Sequence, residues 1–203
     1  MRSLNRSIFY LIVTVILIAP QSLMAADQMA PQKAVESLLS EIQQIKSGDE
    51  LSETQVKANQ NHADRALAFL DVGEVSRKAL GKYWKKTSEK EHGDFSQLLG
   101  QVFTYVAFPN SGKFFASLKI EYGETLIEEN KAVVPITVIH EKEGEVGIEF
   151  HMVAKNKHWR VTDVLLDEVS MRNNLRSQFY KILAKKKFKE LMRRMNKKLK
   201  ESM

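Results

Sequence analysis

The spacing of apolar residues changes twice along this chain, and this change constrains the fold more than any other feature. Between residues 31 and 117, apolar residues recur every three or four positions, which is the spacing of one helix face. Between residues 118 and 166 they recur at every second position, as in strands with one buried face. Helical spacing returns at Ser170. Helices grouped before and after a continuous sheet indicate an α+β fold and exclude a doubly wound parallel one.

Five local signals predict where helices begin and end. Pro31 is typical of a first helical turn, where its missing N–H has no helical partner. Residues 52–55 and 88–91 have the order of capping boxes, with Ser first and Gln or Glu three positions later. Residues 71–81 predict a short helix with a glycine stop, and the Pro-Asn-Ser-Gly run at 109–112 predicts the end of a longer helix.

Alternating apolar and polar residues predict four strands at 118–122, 132–139, 148–152 and 159–166. Short polar connections join these segments, which is typical of an antiparallel meander with one apolar and one polar face. Pro135 removes a hydrogen-bond donor from the second segment and so predicts an edge strand or a bulge there. The chain has no repeats or low-complexity linkers, so we expect one domain.

The first 26 residues have the order of a secretory signal peptide. Two arginines and no acidic residue precede an apolar run at 8–19, and a proline and several small residues follow by residue 26. The apolar run is too short to span a bilayer core of roughly 30 Å. We therefore expect a signal peptide at 1–26, a single domain at 27–203 and a location outside the cytoplasm. An uncleaved N-terminal anchor is the alternative.

Charge is distributed unevenly between the body and the C-terminal end. Residues 171–203 carry twelve Lys and Arg against two Glu, whereas residues 27–170 carry six more acidic than basic residues. Apolar residues in the basic end fall at helical spacing: Ala184, Phe188, Leu191, Met192, Met195 and Leu199. This indicates a basic amphipathic helix. Its segment between Lys185 and Lys200 is expected to contact an anionic membrane surface or an acidic partner. The alternative is that the apolar stripe packs on the body and the cations are solvated.

Several kinds of chemistry are excluded. The absence of cysteine excludes disulfides, thiolate metal sites and a cysteine nucleophile. The chain has no phosphate-binding loop, dinucleotide-binding glycine motif, zinc-protease motif or nucleophile elbow, so we expect no metal and no cofactor. His151 and Asp163 could form a base and its partner across strands, but His151 shares the polar face with Glu149. Nucleic acid is not expected either, because only Tyr180 and Phe188 are available to stack on bases in the basic end.

The apolar face of the predicted sheet and the apolar stripes of the helices leave two interpretations open. A dense core and a ligand cavity produce the same pattern, because ligand pockets are lined mostly by apolar and aromatic side chains. The residues alone therefore do not distinguish a solid interior from a binding cavity.

Two segments resemble a known family. Residues 79–84 read Ala-Leu-Gly-Lys-Tyr-Trp. Residues 159–164 read Trp-Arg-Val-Thr-Asp-Val, followed by Val-Ser-Met at 169–171 and Gln-Phe at 178–179. These runs resemble the motifs of the MlaC/toluene-tolerance family, whose members are periplasmic phospholipid-shuttling subunits of an ABC transport system. The family has a glycine where this chain has Glu168, which predicts a different turn if the position needs a positive φ.

The resemblance implies a fold and a function. The fold is a curved four-stranded antiparallel sheet with helices wrapped around it, enclosing an apolar cavity for acyl chains. The function is a non-enzymatic periplasmic lipid carrier in the maintenance of outer-membrane lipid asymmetry, with phospholipid as cargo and no cofactor. Its partners are an inner-membrane MCE-domain complex with its ATPase and an outer-membrane lipoprotein–porin complex. A hopanoid-associated relative, a small periplasmic enzyme on a cone-shaped α+β fold and a protein-binding adaptor are the alternatives.

The resemblance, together with the inward parity of the strands, predicts two sets of site residues. Nine apolar residues are expected to line or approach the lipid cavity: Leu98, Val102, Ile120, Tyr122, Ile148, Phe150, Met152, Trp159 and Val161. Asp163 and Arg176 are expected to be structural polar anchors, because both belong to the segment that joins the last strand to the last helix.

Overall fold

The structure, a computed structural model of the chain, describes residues 29–48, 50–116, 118–140 and 144–202. The predicted signal peptide at 1–26 lies outside the described residues. None of the described helices combines the length and the apolar character that crossing a bilayer requires.

Within the described residues, five helices come before the sheet and two follow it. The first five are α1 (Pro31–Gln44), α2 (Glu53–Leu67), α3 (Val72–Leu80), α4 (Glu89–Val102) and α5 (Phe108–Phe115). A 3₁₀ turn (Gly81–Lys86) follows α3, and a π-helical turn (Phe103–Ala107) joins α4 to α5. The strands are β1 (Lys119–Tyr122), β2 (Leu126–Glu128), β3 (Lys131–His140), β4 (Gly144–Lys155), β5 (His158–Leu166) and β6 (Val169–Ser170). The last helices are α6 (Met171–Leu183) and α7 (Phe188–Lys200).

The predicted helix starts are confirmed. Pro31 is the first residue of α1. The capping boxes of α2 and α4 are both complete: Ser52 pairs with Gln55 and Ser88 pairs with Glu91 through reciprocal side-chain and backbone hydrogen bonds. These starts were predictable because a cap satisfies orphan N–H groups with residues that are neighbours in sequence.

The prediction that residues 109–112 end a helix is wrong. The N–H of Phe108 donates to the carbonyl oxygen of Phe103, and this π-helical turn continues the helix through Pro109. The proline falls in the first turn of α5, where its ring is tolerated. Gly112 has a packing role instead: a Cβ atom on it would lie 2.8 Å from the carbonyl oxygen of Ile42 at the end of α1.

The sheet is antiparallel throughout, in the order β1-β3-β4-β5-β6, and β2 pairs with β3 beside β1. The mixed α+β class is therefore confirmed, but the sheet has six strands rather than the expected four. The four predicted segments correspond to β1, β3, β4 and β5. The two missed strands, β2 and β6, have three and two residues, which is too short for an alternating pattern to be recognised.

Pro135 lies in an interior strand, not at the edge or bulge that we predicted. It pairs with Glu149 of β4, and its carbonyl oxygen accepts from the N–H of Gly123 on the other side. The N and C=O groups of one strand residue point to the same side of the strand. The N–H that Pro135 lacks would therefore point away from β4, into the gap between β1 and β2. The ladder with β4 therefore loses no hydrogen bond.

The core has two clusters of buried apolar side chains. The sheet cluster joins residues of α1, α2 and α5 to the inner face of β3, β4 and β5. The helical cluster joins four helices without the sheet; its buried members are Val75, Ala79, Leu80, Phe95, Leu98, Leu99, Phe179, Leu191, Met195 and Leu199.

The apolar stripe of the basic end belongs to the helical cluster. Leu191, Met195 and Leu199 are buried against α4 and its neighbours, so the stripe packs on the body and the cations of α7 face solvent. The helix begins at Phe188, later than the residue 184 expected from the stripe. Residues 184–187 form the connection after α6, where three successive lysines have no apolar face to bury.

Candidate functional site

Seven of the nine predicted lining residues lie on or against the sheet cluster. Ile148, Phe150 and Met152 of β4 are buried with Trp159 and Val161 of β5. Ile120 and Tyr122 of β1 are half-buried beside them. Burial raises the pKa of the Tyr122 hydroxyl, because the charged form is poorly solvated there.

The other two predicted residues lie elsewhere. Leu98 is buried in the helical cluster, and Val102 packs against that same cluster. The structure therefore does not bring the nine side chains to one surface, because the stripe of α4 is used to pack α3, α6 and α7. Phe103, at the start of the π-helical turn, contacts both clusters and lies between the two groups.

The helical side has a cleft of about 930 Å³ that the sequence analysis missed. Its walls come from the α1–α2 connection, α2, the π-helical turn, the start of α5 and the end of α7. None of the nine predicted residues is among those that line it. The available sequence signal was weak: Val56 is a single aliphatic residue in the polar first half of α2.

Polar contacts hold α2 beside this cleft. The Asn59 side chain accepts from the backbone N–H of Lys46 and donates to its carbonyl oxygen, both at 2.8 Å. The Tyr105 hydroxyl donates to Gln60 Oε1 at 2.6 Å, which ties the π-helical turn to α2. These bonds join residues that line the cleft and hold its walls together.

A second polar group joins α2 to α1. Arg65 Nε donates to Glu41 Oε1 at 2.9 Å, and His62 Nδ1 lies 2.7 Å from Glu41 Oε2. The bond from Arg65 lowers the pKa of the Glu41 carboxyl, with burial opposing and His62 adding a smaller lowering. The charged carboxylate is therefore the form that holds the two helices together.

The Asp163 carboxylate lies at the junction of β5, β6 and α6 and is 4% exposed. It accepts from Ser170 Oγ at 2.6 Å and from the backbone N–H of Arg172 at 3.0 Å. The Arg172 guanidinium completes the site with an ion pair of 3.1 Å. This arrangement satisfies the start of α6, where helix N–H groups have no helical partner.

Arg176 lies one turn further along α6 and contacts a different element. Its Nε donates to the carbonyl oxygen of Lys78 at 2.9 Å, in the last turn of α3. A guanidinium at this position satisfies a carbonyl group that the end of a helix leaves without a partner.

The structure accounts for the first family-like segment. Gly81 has a φ of 49°, which a residue with a Cβ rarely adopts, and the Tyr180 side chain packs directly against it. The Tyr180 hydroxyl accepts from the N–H of Lys82 at 2.9 Å, and its ring meets Tyr83 edge-on at 5.0 Å. Trp84 stacks on His92 with ring centroids 3.6 Å apart. The segment therefore attaches the end of α3 to α6 and α4.

His151 and Asp163 pair across β4 and β5, as the sequence predicted. Their side chains have different partners: His151 Nε2 lies 2.8 Å from Glu149 Oε2, whereas the Asp163 carboxylate bonds to Ser170 and Arg172. Among the residues described, no three His, Asp or Glu side chains are placed to hold a metal ion.

Comparisons with known proteins were made on the whole chain. The fold is similar to a solved phospholipid-binding protein from Ralstonia solanacearum in complex with a phospholipid, with a TM-score of 0.65 and 13% identity over 83% of this chain and 95% of that one. A protein from Campylobacter jejuni assigned to the NTF2-like transpeptidases covers 54% of this chain and 97% of that one at 14% identity, but its TM-score is only 0.32. No curated protein sequence matches significantly.

A match to a family model identifies the chain more specifically than the similarity of fold does. The family model described as MlaC protein matches residues 32–197, which include all the described helices and strands except the ends of α1 and α7. This match covers most of the chain and contains both motif segments. The protein therefore belongs to the MlaC family.

Proposed function

We propose that this protein is a periplasmic phospholipid carrier that shuttles lipid between an inner-membrane MCE-domain complex with its ATPase and an outer-membrane lipoprotein–porin complex. In this role it maintains outer-membrane lipid asymmetry. The observation that carries the proposal is the MlaC family match over residues 32–197. The similarity of fold to the phospholipid-binding protein from Ralstonia solanacearum supports it. The proposal includes a cleaved signal peptide at 1–26 and one domain at 27–203.

The acyl chains are placed against the inner face of the sheet. Ile148, Phe150 and Met152 form a continuous apolar row there, with Ile120 and Tyr122 at its half-buried end. Because the row is covered by α1 and α5, lipid binding requires these helices to separate from the sheet. Each CH₂ group removed from water contributes about 0.8 kcal/mol, so two acyl chains oppose release into water and favour hand-over at a docked partner.

The lipid is cargo rather than substrate in this proposal. Asp163 and Arg176 satisfy the ends of helices and act as structural anchors, and the buried apolar row supplies no acid, base or nucleophile. The phospholipid is therefore bound and released without chemical change.

The exposed cations between Lys185 and Lys200 serve a further step. They dock the protein on an anionic membrane surface. Glu190 pairs with Arg193 and Arg194, and these bonds lower its pKa to about 2. The lysines at 185–187 extend from the connection between α6 and α7 and are exposed. Such cations are attracted to anionic lipid, and salt weakens that attraction.

The test measures lipid bound by the purified protein after denaturation, organic extraction and mass spectrometry. The proposal expects about one phospholipid per chain in the unaltered protein. Phe150→Ala and Phe95→Ala form a matched pair, since both remove a buried phenylalanine, one from the sheet cluster and one from the helical cluster. Both variants lose stability, but only Phe150→Ala lowers lipid occupancy.

Other results contradict parts of the proposal. A hopanoid in the extract would reassign the cargo. Full phospholipid occupancy in folded Phe150→Ala would show that the chains do not lie against this face. A protein that emerges without lipid from cells that make phospholipid, yet binds its membrane partners, would be an adaptor.

A further inference from the structure

The cleft beside α2 has an apolar floor and an apolar wall. Ile45 and Ala63 form part of this floor and also belong to the sheet cluster. Val56 stands on the wall and is 54% exposed, although most large aliphatic side chains of the domain are buried. Val106 and Pro109 face it from the π-helical turn and α5. An apolar surface of this kind favours a ligand with a hydrocarbon part.

The rim of the cleft is positively charged. Lys46, Lys57, Lys113 and Lys198 line it, against the single carboxylate of Glu53 among the described lining residues. None of these lysines has a carboxylate within 4.0 Å in the parts of the chain that the structure describes. They come from the α1–α2 connection, α2, α5 and α7, so the fold itself assembles the charge. Four cations with no carboxylate partner among the described residues favour an anionic ligand group.

The π-helical turn forms the third wall. Residues 104–106 of this turn line the cleft, and the Tyr105 hydroxyl is held by Gln60 across it. A π-helical turn interrupts regular helical bonding and often occurs at functional sites, where it changes the direction of side chains. Here it brings a hydroxyl-bearing and an aliphatic side chain to the same opening.

We propose that this cleft binds a single-chain anionic amphiphile, such as a fatty acid or a lysophospholipid. The hydrocarbon chain lies along Ile45, Ala63 and Val106, and the anionic head lies among the rim lysines. Two other ligand classes fit the cleft less well. A neutral lipid would leave the rim lysines without a partner, and an inorganic anion would leave the apolar floor uncovered. No strand residue among those described lines the cleft, although Ile45 and Ala63 also belong to the sheet cluster. Binding there does not depend on phospholipid carriage.

Three probes separate these contributions when each is titrated into the purified full domain: oleate below its micelle concentration, monoolein and inorganic phosphate. Calorimetry gives the affinities, and amide NMR shifts locate the site. We expect oleate to bind at least tenfold more tightly than monoolein and phosphate not to bind measurably. The shifts should be confined to residues 45–63, 104–113 and the end of α7.

Matched variants test the two halves of the site. Val56→Glu should weaken oleate binding at least tenfold, whereas Leu126→Glu, at another exposed aliphatic residue, should not change it. Lys57→Glu combined with Lys113→Glu should have a similar effect, and Lys185→Glu combined with Lys189→Glu is the control of equal charge. All of these positions are exposed, so the variants should fold.

Three outcomes overturn the proposal. Equal binding of monoolein and oleate shows that the lysines take no part. Phosphate binding as tight as oleate binding shows a simple anion site. Oleate shifts on β4 rather than around the cleft place the amphiphile at the sheet face, a result that leaves the carrier function intact while removing this second site.

Discussion

At the scale of single residues, the turn between β5 and β6 has a backbone conformation that does not suit the residues in it. Asp167 and Glu168 form a two-residue turn and have φ values of 42° and 68°. Positive φ at both positions is the geometry of a type I′ turn, which favours Asn and Gly. The family motif has glycine where this chain has Glu168, so the position keeps the left-handed backbone without the residue that suits it.

Glu168→Gly should therefore stabilise the protein by about 0.5–1 kcal/mol. The left-handed conformation costs a residue with a Cβ about 1–2 kcal/mol, and the greater freedom of glycine in the unfolded chain offsets part of this gain. Urea unfolding measures the difference. Glu124→Gly is the control, since Glu124 is exposed in the β1–β2 connection and has no positive φ. A loss of stability in Glu168→Gly would mean that the glutamate side chain contributes more than the strain costs.

At the scale of elements, buried and half-buried ionic groups join segments that are distant in sequence. Asp163 connects β5 with the start of α6, and Arg176 connects α6 with the end of α3. Glu41 connects α1 with α2 through Arg65 and His62. The groups at Asp163 and Arg176 satisfy backbone groups at helix ends, and the group at Glu41 holds two helices together. The apolar packing of these helices would not by itself fix where their ends lie.

Asp163→Asn should lower the free energy of unfolding by about 2–4 kcal/mol, because it removes a charge from a buried hydrogen-bonded pair and leaves Arg172 without compensation. Thermal and urea unfolding check the value. Asp167→Asn should cost far less, since Asp167 is exposed and accepts one bond from Gly147. If Asp163→Asn keeps its stability but loses bound lipid, the residue acts on the ligand and is not an anchor.

The ion pairs of Glu41 should make part of the stability depend on pH. The folded protein lowers the pKa of this carboxyl from an ordinary value of 4.5, so its contribution is present above that pH and is lost as pH falls through the lowered value. Glu41→Gln should reduce the melting temperature at pH 6, by the equivalent of less than about 1 kcal/mol for a partly exposed group. The difference should shrink at pH 3, and a difference of constant size would contradict this account.

At the scale of the whole molecule, the fold brings two basic segments together. Lys82 Nζ lies 5.3 Å from the centre of the Tyr180 ring, so the 3₁₀ turn after α3 adjoins α6. The cations of residues 82–86 therefore join those that follow Tyr180, while the rest of the body is acidic. The result is a cluster of basic residues where the 3₁₀ turn adjoins α6.

Lys185→Glu, Lys186→Glu and Lys187→Glu together should weaken binding to phosphatidylglycerol vesicles at least tenfold, because each cation near an anionic surface contributes about 1 kcal/mol. Vesicle co-sedimentation at low and high salt measures this, with neutral vesicles for comparison. Reversal of Lys33, Lys119 and Lys131 is the control of equal net charge. Truncation before α7 is unsuitable, because Leu191 belongs to the core. Unchanged binding at every salt concentration would mean that the cations are only solvated.

Features that depend on neighbouring residues could be predicted from the sequence. The first turn at Pro31 and the capping boxes at Ser52 and Ser88 follow from residues within four positions, since a helix start is satisfied locally. The alternation that buries Phe150 follows from the pleat of a strand. Both kinds of signal act over a few residues and need no knowledge of the fold.

Which apolar surfaces meet, and which surfaces stay open, depends on how the elements pack in three dimensions. Leu98 packs among helices and Phe150 under the sheet, although both were expected at one cavity. The apolar stripe of α7 is covered by the body, and the cleft is built from Lys46, Lys113 and Lys198, which lie far apart in the chain. Hydrophobic attraction has no direction, so an apolar stripe in the sequence does not specify which element it will pack against. That element is fixed only when all helices and strands pack together.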